Sequence, residues 1–202
     1  MTPPLGKLLP LRRIAGEIAE LSDEAVLAAC ATGDGAALGA LFDRFHVAVY
    51  RFVSRLPTTD ELARDDLVQA TFLEVRRVAG QFRGGSSVKT WILGVAANVA
   101  RHQLRGELRR RAHHARYAEG LSAVVERPDE EVARHELMTR IGRALGALSH
   151  ELQVAFILCD LEQLPGVEVA RALGVPDGTL WRRLHTARKA IRAALDADGG
   201  AR

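Results

Sequence analysis

Cysteine is scarce in this chain: two in 202 residues, Cys30 and Cys159. Two thiols build no disulfide framework and, by themselves, no structural zinc site. A reducing, cytoplasmic address is the expectation that follows. Long apolar runs are missing too. No window approaches the ~18–20 uninterrupted apolar residues of a membrane span, and Pro3, Pro4, Arg12 and Arg13 interrupt any leader-like apolar core. Catalytic signatures are absent. The glycines at 33–35 and 84–85 lack the lysine and spacing of a phosphate loop, and no GxSxG, HExxH or paired nucleophile is found. His102, His113 and His114 match no common zinc spacing, so neither metal nor cofactor is expected. Internal repeats, low-complexity segments and strand signals are lacking.

What is present is an ordinary globular balance, 48% hydrophobic and 26% charged, which excludes wholesale disorder. The length suits one mid-sized domain or two small ones. Net charge is only +3, but the charge is clustered. Acid gathers at Asp60, Glu61, Asp65 and Asp66, and again at Glu126, Asp129, Glu130 and Glu131. Base gathers from Arg101 to Arg116 and from Arg182 to Arg192. Two basic stretches at helical spacing fit a polyanion touched at two places; a solvated helix face is the plainer reading of either alone.

The hydrophobic period is helical almost everywhere. Leu38, Leu41, Phe42, Phe45, Val49, Phe52 and Leu56 form one stripe; Val68, Phe72, Val75, Ala79 and Phe82 form a second, ended by Gly84-Gly85. Ser86 or Ser87 is placed to cap a third helix carrying Val88, Ile92, Val95 and Val99, which continues toward the arginines. Leu137, Ile141, Leu145 and Leu148 make a fourth stripe, with Ser149 the expected cap of the helix after it. The period fades around Ala118–Asp129 and ends in Arg127-Pro128, where helix continuation is disfavoured. The fold class is all-α: two small helical domains joined by a flexible linker, the C-terminal one containing a helix-turn-helix.

Residues 164–195 carry that motif. Val167, Val169, Ala170 and Leu173 fall on a short helix, and Gly174 fits its left-handed terminus. Asp177, after Pro176, is the expected N-cap of a second helix with Leu180, Leu184, Ala187, Ile191 and Leu195 on one face. Trp181, Arg182, His185, Arg188, Lys189 and Arg192 occupy the other. A basic helix fits the major groove, where arginine pairs with guanine O6 and N7. A structural helical hairpin would share this pattern.

The stretch 65–105, DDLVQATFLEVRRVAGQFRGGSSVKTWILGVAANVARHQLR, resembles the second conserved region of bacterial extracytoplasmic-function (ECF) sigma factors, where DDLVQETF leads into FRGxSSFRTWL. The segment ALSHELQVAFILCDLEQLPGVEVARALGVPDGTLWRRLHTARKAIRAAL is similar to that family's fourth region. The resemblance spans most of residues 35–196 in order and spacing.

It implies an RNA polymerase sigma factor, not an enzyme, acting in transcription initiation. Its implied partners are RNA polymerase core, promoter DNA and an anti-sigma factor. Asp65, Asp66, Gln69 and Phe72 would dock on core polymerase, an acidic, partly apolar face suiting a basic surface. Arg83, Ser86, Ser87 and Lys89 would grip a melted base, Trp91 would be a melting wedge or a core side chain, and Asn98 would read a base edge. Arg101 and Arg105 would contact phosphate. Thr179, Trp181, Arg182, Arg183, His185 and Arg188 would face the upstream promoter element.

The implied division is a tail over 1–21, a region 2-like domain over 22–116, a linker over 117–133 and a region 4-like domain over 134–197. Several positions depart from the family pattern. Ala70 replaces an acidic residue, Gly94 stands where arginine is frequent, and Gly166-Val167 replaces a Ser-Tyr-type helix opening. Trp181 and Thr186 stand where cationic residues are common. The alternative from another class is a stand-alone helix-turn-helix regulator with an N-terminal interaction domain. A third is an all-α adaptor that binds no DNA.

Overall fold

The computed structural model describes residues 18, 20–57, 61–114 and 140–199, with side chains omitted at 61–62, 105–114 and 197–199. The described residues are helical and contain no strand. The expected linker, 117–133, lies outside them.

Ser22 opens α1 (Asp23–Ala31), its hydroxyl accepting the Ala25 N–H at 3.2 Å. Asp34 opens α2 (Gly35–Ser54) by accepting from the Ala36 and Ala37 N–H groups at 2.8 and 3.3 Å. Each cap satisfies donors that the first helical turn leaves unpaired. The sharp corner between them needs Gly33, whose φ of +94° excludes most side chains. The end of the expected tail is anchored. Ile18 is buried, and the Arg44 guanidinium of α2 donates to the Ile18 and Leu21 carbonyls while pairing with Asp23 at 2.7 Å.

α2 buries Leu41, Phe45, Val49, Phe52 and Val53 against α1 and α3 (Glu61–Val78). α3 answers with Leu67, Val68, Phe72, Val75 and Val78; its buried Thr71 hydroxyl donates back to the Leu67 carbonyl at 2.7 Å. A 3-10 turn, Ala79–Gln81, ends it. Gly84, at φ +70°, turns the chain into α4 (Val88–His114). Of the two serines offered as caps, Ser87 takes the role, its hydroxyl accepting the Thr90 N–H at 3.2 Å. α4 runs through the arginine-rich stretch as expected.

The C-terminal half begins with α5 (140–146), followed by α6 (His150–Phe156), which continues as one π-helical turn, Ile157–Leu161. Ser149 sits at the start of α6 in extended conformation but its side chain makes no cap bond. The buried Gln153 amide instead donates to the Leu145 and Leu148 carbonyls at 3.1 and 3.0 Å, closing the end of α5. α7 (Gly166–Leu173) ends as expected at Gly174, φ +66°, with the Val175 N–H returning to the Ala170 carbonyl at 3.0 Å. Val167 lies on that short helix as expected and is 43% exposed, while Val169 and Ala170 face the core. One local expectation needs correction. Asp177 is the first helical residue of α8 (Asp177–Gly199), not its cap: the Pro176 carbonyl receives the Thr179 and Leu180 N–H groups at 2.9 and 3.2 Å. The Asp177 carboxylate then complements the helix dipole from within the first turn.

α6 and α7 pack on α8, whose Leu180, Leu184, Ala187 and Ile191 form the predicted buried stripe. The N- and C-terminal helices share one continuous hydrophobic core. The bridge is α7 lying on α4, the most extensive helix–helix contact among the described residues.

Candidate nucleic-acid interface

The acidic helix comes first. Asp65, Asp66 and Gln69 are exposed along one side of α3. Phe72, expected among them as a contact, is only 4% exposed. Its ring meets Phe42 edge-on at 4.9 Å, and Phe42 stacks on His46 at 5.0 Å. The apolar groups presented beside the acids are therefore Leu73, 62% exposed, and Phe42. Sequence reading missed Leu73, although its helical position falls on the same side as Asp66 and Gln69.

The loop before α4 is shaped by its own hydrogen bonds. Arg83 folds back to donate to the Gly80 and Phe82 carbonyls at 2.8 and 3.3 Å, leaving the guanidinium exposed. Ser86 is half-buried and Ser87 exposed. At the start of α4, the Ser87 N–H donates to a Glu168 carboxylate oxygen at 2.9 Å, and the Thr90 hydroxyl donates to the same oxygen at 3.1 Å. The Ser87 N–H bond, aided by the Thr90 hydroxyl, holds the Glu168 carboxyl below its ordinary value. Nothing in the residue pattern flagged Glu168, which belongs to α7 and lies about 80 residues away in sequence.

Further along α4, Trp91 answers the question of core or wedge with a position between the two. It is half-buried, edge-on to Phe82 at 5.6 Å, and lines an open groove of about 760 Å³ between α3 and α4. Asn98 faces the same groove, with its carbonyl oxygen accepting from Arg101 at 3.1 Å. Lys89 is half-buried. The Arg105 side chain lies outside the described residues.

On α8 the expected reading face is open. Trp181 is 49% exposed, and Arg182 and His185 project outward. Thr179 and Arg183 are half-buried. Arg188 is exposed but engaged: its guanidinium grips Asp160 through two bonds of 2.8 and 2.6 Å, which raises its pKa. Trp181 explains an oddity of the sequence. Its six-membered ring lies over Gly166, where a Cβ would come within 2.8 Å of the indole. The missing polar opening of α7 is the space that this tryptophan occupies. Among the described residues no cluster of ligating side chains could hold a metal, and no helix is long and apolar enough to cross a membrane.

The structure thus gathers Arg83, Ser86, Ser87, Lys89 and Trp91 at one end of α4 and the groove beside it, and sets Trp181, Arg182 and His185 on a separate helix. Comparison with known proteins covers each half of the chain. Residues 41–111 match the family model described as Sigma-70 region 2, and residues 138–191 match Sigma-70, region 4. The chain is similar to the ECF RNA polymerase sigma factor SigM of Mycobacterium tuberculosis, 32% identical over 96% of this chain and 94% of that one. It is also similar to the ECF RNA polymerase sigma-E factor of Escherichia coli, 29% identical over 85% of this chain and 93% of its relative. Among solved structures, the sigma factor RpoE of Bartonella quintana, crystallised with the anti-sigma factor NepR, shares the fold. The TM-score is 0.61, with 22% identity, 78% of this chain and 95% of that chain covered.

Proposed function

The chain belongs to the extracytoplasmic-function sigma factors of RNA polymerase, proteins that bind core polymerase and direct promoter recognition without enzymatic activity of their own, and we propose how its surfaces divide that work. Asp65, Asp66 and Gln69 dock on the core enzyme, with Leu73 and Phe42 beside them and Phe72 as their buried support. Mixed acidic and apolar character suits a basic partner surface with an apolar centre.

Arg83, Ser86, Ser87 and Lys89 grip the melted strand, where cations track phosphate and small groups admit a base. Trp91 and Asn98 line the adjoining groove, and Arg101 and Arg105 hold the backbone. Thr179, Trp181, Arg182, Arg183, His185 and Arg188 meet the upstream element, with the arginines available for guanine edges. DNA opening draws on this binding energy, and RNA synthesis stays with the polymerase.

Residues 22–116 form the core-binding and melting unit, 134–197 the upstream-reading unit, 117–133 the linker and 1–21 the tail. The protein works in the cytoplasm, where its polymerase is. The anti-sigma partner of the Bartonella relative supports the same kind of control here. Membership of the family removes the stand-alone regulator and the adaptor as readings.

The observation that carries this reading is the match of both regions, in order, each on a helix that offers exposed groups suited to nucleic acid. Reconstitution tests it. Purified protein mixed with sigma-free core polymerase and genomic promoter fragments is expected to give run-off transcripts whose start sites share a two-part upstream motif. Absence of both core binding and transcripts would overturn it.

A further inference from the structure

Two surfaces assigned to different tasks occupy the same space in this structure. The start of α4 and the loop before it are covered by α7, the first helix of the helix-turn-helix. Three independent contacts hold them together. Glu168 places its carboxylate on the Ser87 N–H and the Thr90 hydroxyl at 2.9 and 3.1 Å. Arg171 donates to the Gly85 carbonyl at 3.0 Å. Gly94 of α4 meets the backbone of Ala172 so closely that a Cβ there would come within 2.6 Å of the Ala172 carbonyl oxygen. A further link between the two halves is Glu162, its side chain only 3% exposed, held by Arg55 at the end of α2 with Arg51 at 4.0 Å.

The chemistry of the first contact is informative. The free N–H of a helix start and the hydroxyls beside it favour an anion. In this structure the anion is the chain's own carboxylate. An anionic DNA backbone entering the loop would need the same donors, and Glu168 would repel it. Gly94 adds a steric condition: α7 seats only because this position of α4 carries no side chain.

We propose that α7 is an intramolecular competitor of single-stranded DNA, with Glu168 taking the place of a backbone phosphate at Ser87 and Thr90 and with Gly94 as the seat that lets α7 close. Opening this contact is then a step that promoter engagement must include. The competition rests on the reading that the loop and α4 contact melted DNA; the closed contact does not.

The test uses the full chain. A Cβ built at Gly85 lies 3.9 Å from the Arg171 Cβ, inside the range of about 3.5–4.5 Å that a disulfide requires. The double variant Gly85→Cys with Arg171→Cys, treated with a mild oxidant, is expected to form an intramolecular bond that peptide mapping assigns to those two positions. Gly94→Ala introduced into it is expected to slow that bond at least about fivefold, since overpacking a tight contact is costly, while α4 itself gains from the better helix former. Small-angle scattering of the wild type against Gly94→Ala gives a crosslink-free measurement, with a larger radius of gyration expected for the variant. No crosslink, together with identical scattering, overturns the closed contact; a crosslink indifferent to Gly94→Ala overturns Gly94 as its seat.

The competition is read by fluorescence anisotropy on a labelled single-stranded oligonucleotide of mixed sequence. The oxidised double variant is expected to bind more weakly than the same protein reduced, and Gly94→Ala more tightly than wild type. Equal binding by oxidised and reduced protein overturns the competition. Arg83→Ala in the reduced protein checks the underlying DNA assignment separately. If it binds as well as its parent, that assignment fails, and the competition with it, while the crosslink result stands on its own.

Discussion

α4 and α8 are both long, both rich in arginine and both proposed to meet DNA, yet they are built differently. α4 buries Val88, Ile92, Leu93, Val95, Ala96, Ala97 and Ala100, which surround the helix, because α2, α3 and α7 pack on it from several sides. α8 buries a single stripe, Leu180, Leu184, Ala187 and Ile191, and leaves its cationic face to solvent. On the proposed reading the first is a structural helix that offers DNA its N-terminal end, one groove and the arginines that follow. The second sets Arg182 and His185 clear of the residues that fold it, while Trp181 packs on Gly166 and Arg188 on Asp160. On the proposed reading, function is separable from stability by simple truncation at Arg182 and His185, and on α4 it is not. Surface truncation away from special features changes stability within about ±0.5 kcal/mol, whereas emptying a core position costs several times that.

The acidic helix gives the widest break in this comparison, because its acidic face belongs to neither proposed DNA surface. Asp66→Arg is expected to abolish binding to core polymerase, measured by native gel shift, with an unchanged thermal melt because Asp66 is exposed. Retained core binding would move the docking face away from α3. Next in size is the pair Arg182→Ala with Arg183→Ala. With each specific cationic contact worth about 1–3 kcal/mol, losing two should lower promoter capture by the holoenzyme at least about thirtyfold. Core affinity should stay at the wild-type value. Equal losses of core binding in both sets of variants would merge the two roles.

A smaller effect sharpens the structural side. Gly174 ends α7 at φ +66°, where an L side chain costs about 1–2 kcal/mol. Gly174→Ala should lower the melting temperature by a few degrees without touching the exposed face of α8. Promoter affinity at low temperature should then be close to wild type. A large loss of affinity with an unchanged melt would show that the turn itself meets DNA.

The contrast also explains what could be read from sequence. The stripes of α2, α3, α4 and α8, the left-handed Gly174 and the cap on α4 all follow from local chemistry: period, propensity and orphan N–H groups. The face of α8 was legible for the same reason, since an amphipathic helix with one buried stripe declares its other side. Three things were not. Phe72 lies on the apolar stripe and on the edge of the acidic face at once, and only the packed position of Phe42 over it decides that it is buried. Ser149 is the N-cap by position, as its residue type suggests, but its side chain makes no cap bond and Gln153 closes that corner from the following helix. Glu168, Gly94 and Glu162 act across the join between the two halves, where sequence period carries no information about register. Gly94 had a visible signal, a glycine in the middle of a helix where the family favours arginine. Its cause is visible only once Ala172 is in place.

The least disruptive probe compares the two halves through their own cysteines, one in each. Cys30 is buried in α1, and burial raises its thiol pKa. Cys159, in the π-helical turn, is half-buried, and burial, with Asp160 adding to it, pushes its thiol up to about 11. A raised thiol stays protonated and unreactive at neutral pH, since the thiolate is the nucleophile. At pH 8 the Cys159 thiolate is then only about one part in a thousand, and its alkylation by iodoacetamide should rise about tenfold per pH unit until near pH 11. The sign for stability follows from the same shift. The folded unit holds this proton more tightly than the unfolded chain, so its stability falls as pH climbs from the free-thiol range near 9 toward 11. Cys30 should react only as fast as the N-terminal bundle opens, and so should follow denaturant where Cys159 follows pH. Rapid alkylation of Cys159 at pH 7 would mean that the π-helical turn opens on its own, and with it the Asp160 that restrains Arg188 on the face proposed to read DNA.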